Sequence, residues 1–421
     1  MDQITEAHLT EIERRVVAAA VETFGVDLSG LVLDMTNFAT YIDSANDRAP
    51  IAQRGHAKQK RSDLRLVGLG LVVSTDGGLP LVSHAYPGNL PDVSQFKAMV
   101  GELVARFRTL AGEQAGELTL VFDAGQNSQD NFELFEDQSL HFVGSLSPSD
   151  HPDLLAAPMS RYRVVDPERF VGLRAFETTK VVFGTKRRVV VTHSQHLHDK
   201  QSQGFEQTLA KARRQLSEVA ARLARGKTRK PRDNVEAEIA AILKPRWLSR
   251  VVSTTLTGET PTELRLTWRT KPKAREALEA KLFGKRILVT DKPRPVPIAQ
   301  IVADYRSQED AEADFRQMKD PKVVSFSPMF HFTEQKIRVH VLYCVLALMI
   351  ARLMVRAADR HQMHMSVREL LGSLAAIQET VLLYQGERGR PRARRMLTEL
   401  DDRQHRLYNL FGLHAYAPSA S

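Results

Sequence analysis

Two aspartates and one glutamate, with the residues spaced around them, carry the clearest chemistry in this sequence. Asp34 follows Leu31-Val-Leu33, and Asp123 follows Leu118-Thr-Leu-Val-Phe122. Each closes a short β-favouring apolar run, so a strand would fix the backbone and present the carboxylate at its end. Two such carboxylates on neighbouring strands can hold hard divalent cations through oxygen. The commoner use of an aspartate at a strand end is a turn or helix cap, and the run-plus-acid pattern alone does not separate the two. The glutamate, Glu312, lies in Ala303-Asp-Tyr-Arg-Ser-Gln-Glu-Asp-Ala-Glu-Ala-Asp-Phe-Arg-Gln-Met-Lys319. On a helix, Ala311, Phe315 and Met318 form an apolar stripe for the core. Tyr305, Gln308, Glu312, Arg316 and Lys319 form a polar stripe beside it, while Glu309, Asp310 and Asp314 lie elsewhere. Read plainly, that stripe is a solvated face with a Glu312–Arg316 pair contributing roughly 0.3–0.5 kcal/mol. Read by spacing, Tyr305, Glu312 and Lys319 recur at intervals of seven, and an acid beside a phenol and a cation suits a site that holds both metal and phosphate.

The elements that must position these residues read as a mixed α/β arrangement. The first 30 residues form a helix that stops at Gly25. Leu64–Ser74 and Leu79–Tyr86 flank Asp76-Gly77-Gly78, a hairpin signal. Residues 92–111 are an amphipathic helix, and Leu118–Phe122 follows Gly116 as another strand. From about residue 160 the composition shifts. Lys180-Val-Val-Phe183 and Arg188-Val-Val-Val-Thr192 read as strands, followed by a basic helical segment at 200–232 and by strands at Glu263–Arg269 and Gly284–Thr290. The final 130 residues read as mostly helical. Their most apolar stretch, Val341–Ala351, is shorter than the roughly 20 residues a membrane span needs, which favours a buried core helix.

Composition bounds the partners. There are 59 Lys+Arg against 50 Asp+Glu, a net charge of +9 over 421 residues, with 43% hydrophobic and 26% charged residues. Those values exclude collagen-like, rod-like and wholly disordered chains. Residues 200–232 hold ten Lys and Arg against Glu206 and Glu218, so +8 of the excess sits there. Such a segment binds a nucleic-acid backbone without reading sequence, or is simply a solvated helix face. The basic run Arg388-Gly-Arg-Pro-Arg-Ala-Arg-Arg395 carries the same two readings. The single cysteine, Cys344, excludes an intrachain disulfide and any four-cysteine zinc site, and fits a reducing cytoplasm. His193, His196, His198 and Asp199 have a metal-like composition but neither cysteine partners nor an i,i+4 pair.

Asp34, Asp123 and Glu312 with the Tyr305–Lys319 helix resemble an insertion-sequence transposase of the DDE class, in the branch marked by the signature Y-x2-R-x3-E-x6-K. Tyr305, Glu312 and Lys319 match, while the arginine position holds Gln308. Arg306 sits two positions from Gln308, about 200° round a helix. Gly55-His-Ala-Lys-Gln-Lys-Arg-Ser-Asp-Leu64, Gly68-Leu-Gly-Leu71, Pro87-Gly-Asn89, Phe122-Asp-Ala-Gly125 and Phe330–His340 resemble the same family, and the likeness spans roughly residues 30–360.

The resemblance implies a ribonuclease H-like mixed sheet with flanking helices, an inserted β/helical subdomain and a helical C-terminal region. The expected boundaries are a shortened N-terminal helical segment at 1–29, a catalytic domain at 30–159 and 286–360, an insertion at 160–285 and a C-terminal region at 361–421. It also implies two Mg²⁺ or Mn²⁺ ions, with Asp34 as the bridging ligand and Asp123 and Glu312 each completing one ion. Tyr305, Gln308, Arg316 and Lys319 would contact DNA. The implied reaction is hydrolysis at the element end, followed by attack of the freed 3′-hydroxyl on target DNA. The implied partners are transposon ends and target DNA, with a homodimer assembled on them, no membrane and a cytoplasmic, nucleoid-associated location. Two other readings accompany this one: a catalytically impaired, truncated derivative acting as a DNA-binding regulator, and a plain metal-dependent nuclease of the same fold.

Overall fold

In the computed structural model, the apolar run before Asp34 belongs to an 11-residue strand, β1 (Gly30–Thr40), buried along nearly its whole length. The structure describes residues 1, 3–55, 63–111, 118–137, 140–385 and 392–417. Residues 56–62 of the Gly55–Leu64 stretch, Gly116, and residues 388–391 of the C-terminal basic run fall outside them.

The chain forms two compact units, Met1–Gly144 with Val302–Ser421, and Ser145–Ile301. The first unit opens with α1 (Glu6–Phe24), whose C-cap Gly25 takes the left-handed conformation at φ 56°. After β1 come β2 (Arg65–Ser74), β3 (Pro80–Pro87), α2 (Asp92–Ala111), β4 (Thr119–Phe122) and α3 (Gln129–Asp137); the unit boundary falls within β5 (His141–Leu146). The sheet order here is β3-β2-β1-β4-β5, with β1–β2 and β2–β3 antiparallel and β1–β4 and β4–β5 parallel. The hairpin between β2 and β3 turns at Gly77 and Gly78, both with positive φ. Gly68 and Gly70, on β2, have a packing reason: a Cβ at either position would overlap the Tyr86 ring or the Met99 thioether.

The second unit holds α4 (Pro152–Leu155), β6 (Arg163–Val164), β7 (Leu173–Val182), β8 (Thr185–Ser194), α5 (Gln195–Ala224), α6 (Arg232–Leu243), α7 (Leu248–Val251), β9 (Val252–Thr257), β10 (Arg265–Thr270), α8 (Pro272–Leu282) and β11 (Lys285–Thr290). Its strands run β11-β8-β7-β6, antiparallel throughout, beside a β9–β10 hairpin. The basic helical segment is largely α5, which buries Phe205, Leu209, Ala212, Leu216, Val219 and Leu223 and leaves its cations outward.

After α9 (Ile298–Arg306), the first unit is completed by α10 (Gln308–Lys319), α11 (Glu334–Arg360), α12 (Val367–Ala375), β12 (Glu379–Tyr384), β13 (Arg392–Leu397) and α13 (Asp402–Leu410). The C-terminal region, expected to be mostly helical, also contains the β12–β13 hairpin, in which Thr380-Val-Leu-Leu-Tyr384, a β-favouring run, pairs locally rather than joining the core. α11 is longer than its 11-residue apolar kernel. Its length and hydropathy would suffice to cross a bilayer, and Ile337, Val341, Leu342, Val345, Leu348 and Met349 are buried within the first unit.

α1 is tied down by Glu13, a buried carboxylate that accepts from Ser83 N at 3.0 Å, from Ser83 Oγ, and from Arg106. Burial raises its pKa above the ordinary 4.5 against the pull of Ser83 and Arg106. The folded state therefore binds this proton more tightly than the unfolded chain. Glu13's contribution to stability is fully present below the unfolded value of 4.5 and declines as pH rises through the folded value. Glu13→Gln removes the titration. In urea unfolding from about pH 4 to 8, the stability of wild type relative to Glu13→Gln is expected to fall as pH rises; a flat or rising difference contradicts it.

Candidate active site

β4 is a short strand whose end is held by an aromatic cage. Phe122 packs against Phe96, Phe132, Phe135 and Phe142 with ring centroids 5.6, 5.8, 5.1 and 6.0 Å away. Asp123 follows in extended conformation (φ −91°, ψ 167°), and a single 3₁₀ turn, Ala124–Gln126, leads the chain away. That turn is pinned by buried Asn131, whose amide donates to Gln126 O at 2.6 Å. The Asp123 carboxylate is exposed.

Asp34 sits within β1, half-buried, and one of its oxygens accepts from Met35 N at 2.7 Å. β1 and β4 are parallel neighbours in register, ending with Val32 beside Val121. Asp123 lies one residue past the end of β4, and extending the register two residues beyond the paired stretch would bring it level with Asp34. The strand-end expectation holds for Asp123, which follows β4, and is corrected for Asp34: β1 continues through Met35–Thr40, because these residues pair with β2 as far as Arg65.

α9 and α10 lie on that face. Along β1, residues 34, 36 and 38 point the same way. Lys319, at the end of α10, donates to Thr36 Oγ1 at 3.0 Å and holds its ammonium 5.2 Å from the Phe38 ring centroid. Tyr305, near the end of α9, is buried and donates its hydroxyl to Asp123 Oδ1 at 3.3 Å. The single helix expected over 303–319 is two helices meeting at Ser307, whose backbone keeps right-handed helical angles (φ −61°, ψ −14°). The apolar stripe therefore survives the junction, whereas two members of the polar stripe, Tyr305 and Gln308, are buried. Ala311, Phe315 and Met318 are buried as expected for the apolar stripe, and Glu312 and Arg316 are exposed.

Two placements differ from the sequence reading. Gln308, expected on the DNA-facing stripe, is buried at the first position of α10. Asp314, expected to lie off both stripes, is fully buried and receives Arg352 Nε of α11 at 2.5 Å. Asp314 lies two residues beyond Glu312, about 200° round the helix. Fixing Asp314 inward against α11 thus turns Glu312 outward. Thr36, Asn131, Asp314 and Arg352 all escaped the sequence reading. The spacing of Thr36 from Asp34, two along a strand, is a retrospective signal; the pairing of Asp314 with a residue 38 positions away has none.

Among the described residues, no three or more His, Cys, Asp or Glu side chains gather closely enough to hold a metal ion. Asp34 and Asp123 offer hard carboxylate oxygens on adjacent strands, a donor set suited to Mg²⁺ or Mn²⁺. Glu312 belongs to the covering helix and does not complete a three-acid cluster with them. Cys344 is buried, and burial pushes its thiol up to about 12, which disfavours the thiolate form.

No family model matches this chain, and no curated protein does. Among solved structures it is similar to a piggyBac transposase synaptic complex with hairpin DNA, at 9% identity and a TM-score of 0.38, over 88% of this chain. The chain spans 59% of the length of that structure's chain.

Proposed function

We propose that the chain is a metal-dependent DNA-processing enzyme that cleaves phosphodiester bonds and transfers DNA strands, in the manner of an insertion-sequence transposase. The observation that carries this reading is the convergence on one sheet face. Asp34 lies on β1 and Asp123 just past the end of β4, the strand parallel to it; Tyr305 reaches Asp123, and Lys319 reaches Thr36, two residues past Asp34. Glu312 lies midway between Tyr305, on α9, and Lys319 in sequence, on the α10 helix that Lys319 ends. The sheet order β3-β2-β1-β4-β5, three antiparallel strands followed by two parallel ones, agrees with a ribonuclease H-like arrangement for the first unit.

Asp34 and Asp123 would hold divalent cations, Asp34 in a shared position, with Glu312 joining as a further ligand. The bound ions supply Lewis-acid stabilisation of the phosphate and of the leaving oxygen, and lower the pKa of an attacking hydroxyl. The chain's own groups do the positioning. Tyr305 orients the Asp123 carboxylate, so its hydroxyl is a positioning group rather than a DNA contact. Lys319 places a positive charge beside β1, where a substrate phosphate would lie. Arg316, exposed on α10, adds a second cation for the backbone. The buried Gln308 is left a structural part at the helix junction.

One observation favours a second reading. Glu312 does not join the two aspartates in a cluster, and a chain that never closes one would bind DNA without cutting it, as a regulator of an active relative.

Nicking and end-joining assays separate the two. With Mg²⁺ or Mn²⁺, the full chain is expected to nick DNA from the sequences flanking its gene and to join the freed 3′ ends to a target plasmid. Binding with no nicking under either ion would establish the regulator reading instead. Tyr305→Phe removes one long hydrogen bond to Asp123, with an expected cost of about 1 kcal/mol, and so slows cleavage by roughly fivefold while leaving DNA affinity unchanged. A large loss of affinity would show Tyr305 touching DNA directly.

A further inference from the structure

At the C-terminal end of β1 the chain exposes three aromatic rings: Tyr41 (43% exposed), Phe330 (64%) and Phe332 (49%). Large aromatic side chains are ordinarily the first to be buried, so three together at a surface call for a partner. Tyr41 and Phe330 stand with ring centroids 5.7 Å apart and planes at 48°. Phe332 carries the guanidinium of Arg48 at 5.3 Å and the ammonium of Lys336 at 5.9 Å from its centroid.

The ledge is held rather than loose. Tyr41 N donates to Met329 O at 2.8 Å, Asn46 Nδ2 to Phe332 O at 2.9 Å, and Glu334 N to Arg48 O at 3.0 Å, which stitches residues 41–48 to 329–334. Arg65, from β2, donates to the carbonyls of Ser44 and Asn46 and fixes the loop between Tyr41 and Arg48. Rings placed this way present their faces without a large ordering cost on binding.

The acids near the ledge are largely engaged. Glu334 pairs with Arg338 at 2.8 Å, and Asp43 accepts from Ala45 N at 2.7 Å within its own loop; Asp47 is exposed beside them. Aromatic faces flanked by Arg and Lys match flat, π-faced groups joined by anionic linkers, the chemistry of unpaired nucleotides. A stacked duplex offers only base edges and backbone, so rings of this kind have little to grip on it.

We propose that Tyr41, Phe330 and Phe332, with Arg48 and Lys336, form a stacking ledge for unpaired bases of a single-stranded nucleic acid. Its placement adds to the proposed function and rests on it: the ledge ends the strand that carries Asp34, six residues or about 20 Å on from that acid at Thr40. A strand end freed at the acids can reach it. The stacking itself needs neither metal nor cleavage.

The test is fluorescence anisotropy with the full chain, EDTA and moderate salt, using labelled oligothymidylate and a duplex of equal length as probes. The double variant Phe330→Ser, Phe332→Ser, at two solvent-exposed sites, is expected to weaken oligothymidylate binding about tenfold or more and to change duplex binding less than twofold. Tyr41→Phe, which keeps the ring, is expected to bind the single strand as wild type does. Equal losses on both probes, or no loss on either, overturn the ledge. A wild-type dimer in sedimentation that the double variant abolishes, with single-strand binding intact, assigns the rings to a second copy of the chain and also overturns it. Asp123→Asn in the same assay is expected to bind oligothymidylate normally. Cleavage that fails while this ring dependence holds would remove the enzymatic reading and leave the ledge standing.

Discussion

Arg352→Met is expected to cost the chain about 3–5 kcal/mol of stability, seen as an early urea midpoint with little change in slope. Asp314 has no solvent exposure, and Arg352 Nε lies 2.5 Å from its Oδ1 with its own side chain 10% exposed. Removing the guanidinium strands a charge in a site that water cannot reach. The cost comes from that uncompensated carboxylate more than from the lost attraction, because an intact buried pair itself offsets large desolvation terms. This yields a sharper test than the single variant. Asp314→Leu combined with Arg352→Met leaves no buried charge, and the double variant is expected to recover most of the loss. Additive losses would place the damage in packing instead. The pair also joins α10 to α11, and Asp314 faces nearly opposite Glu312 on the helix. Loosening it frees α10 to rotate, and the position of Glu312 with it.

What the sequence conveys of this site follows from how local each signal is. Asp34 and Asp123 are legible because an apolar run followed by an acid is written in four and six consecutive residues, although for Asp34 the run does not mark the strand's end, since pairing with β2 carries β1 on to Thr40. Ala311, Phe315 and Met318 are legible because a 3.6-residue period repeats within one helix. Gly77 and Gly78 announce a turn by needing positive φ. The rest depends on chain segments that meet only after folding. Asp314 sits in a helix crowded with acids, and nothing in its neighbours distinguishes the one that goes inward to meet Arg352. Gln308 matched a polar stripe by periodicity, yet the junction at Ser307 places it under the helix start, where it is buried. The β12–β13 hairpin lacks the alternation that a half-buried strand shows, since every residue of β12 is exposed. Tyr41, Phe330 and Phe332 are almost 300 positions apart at the extremes, and their gathering at one surface rests on the Thr40–Met329 bridge.

The two aspartates lead to the second large effect, with a sign that a purely structural role would reverse. Asp34, on β1, and Asp123, just past the end of β4, would place like charges near each other, a repulsion that a bound cation would offset. Replacing either with Asn relieves that repulsion. Without divalent ions, Asp34→Asn and Asp123→Asn are therefore expected to be as stable as wild type or more so. A cap or turn aspartate behaves oppositely, because its loss costs about 1 kcal/mol. Adding Mg²⁺ or Mn²⁺ to wild type is expected to raise its melting temperature, by up to about 2.7 kcal/mol of stabilisation at a hundredfold excess over the dissociation constant. Both Asn variants are expected to lose that response. In cleavage, each loses a ligand to ions that supply several kcal/mol of transition-state stabilisation, so rates should fall by about a thousandfold or more. Glu312→Gln separates the two proposed readings. If Glu312 joins the ions once DNA is bound, it abolishes cleavage as fully as Asp123→Asn while keeping most of the metal-induced shift in the absence of DNA. Asn variants that are less stable without metal, show an unchanged response to it, or retain cleavage would return both aspartates to a structural role.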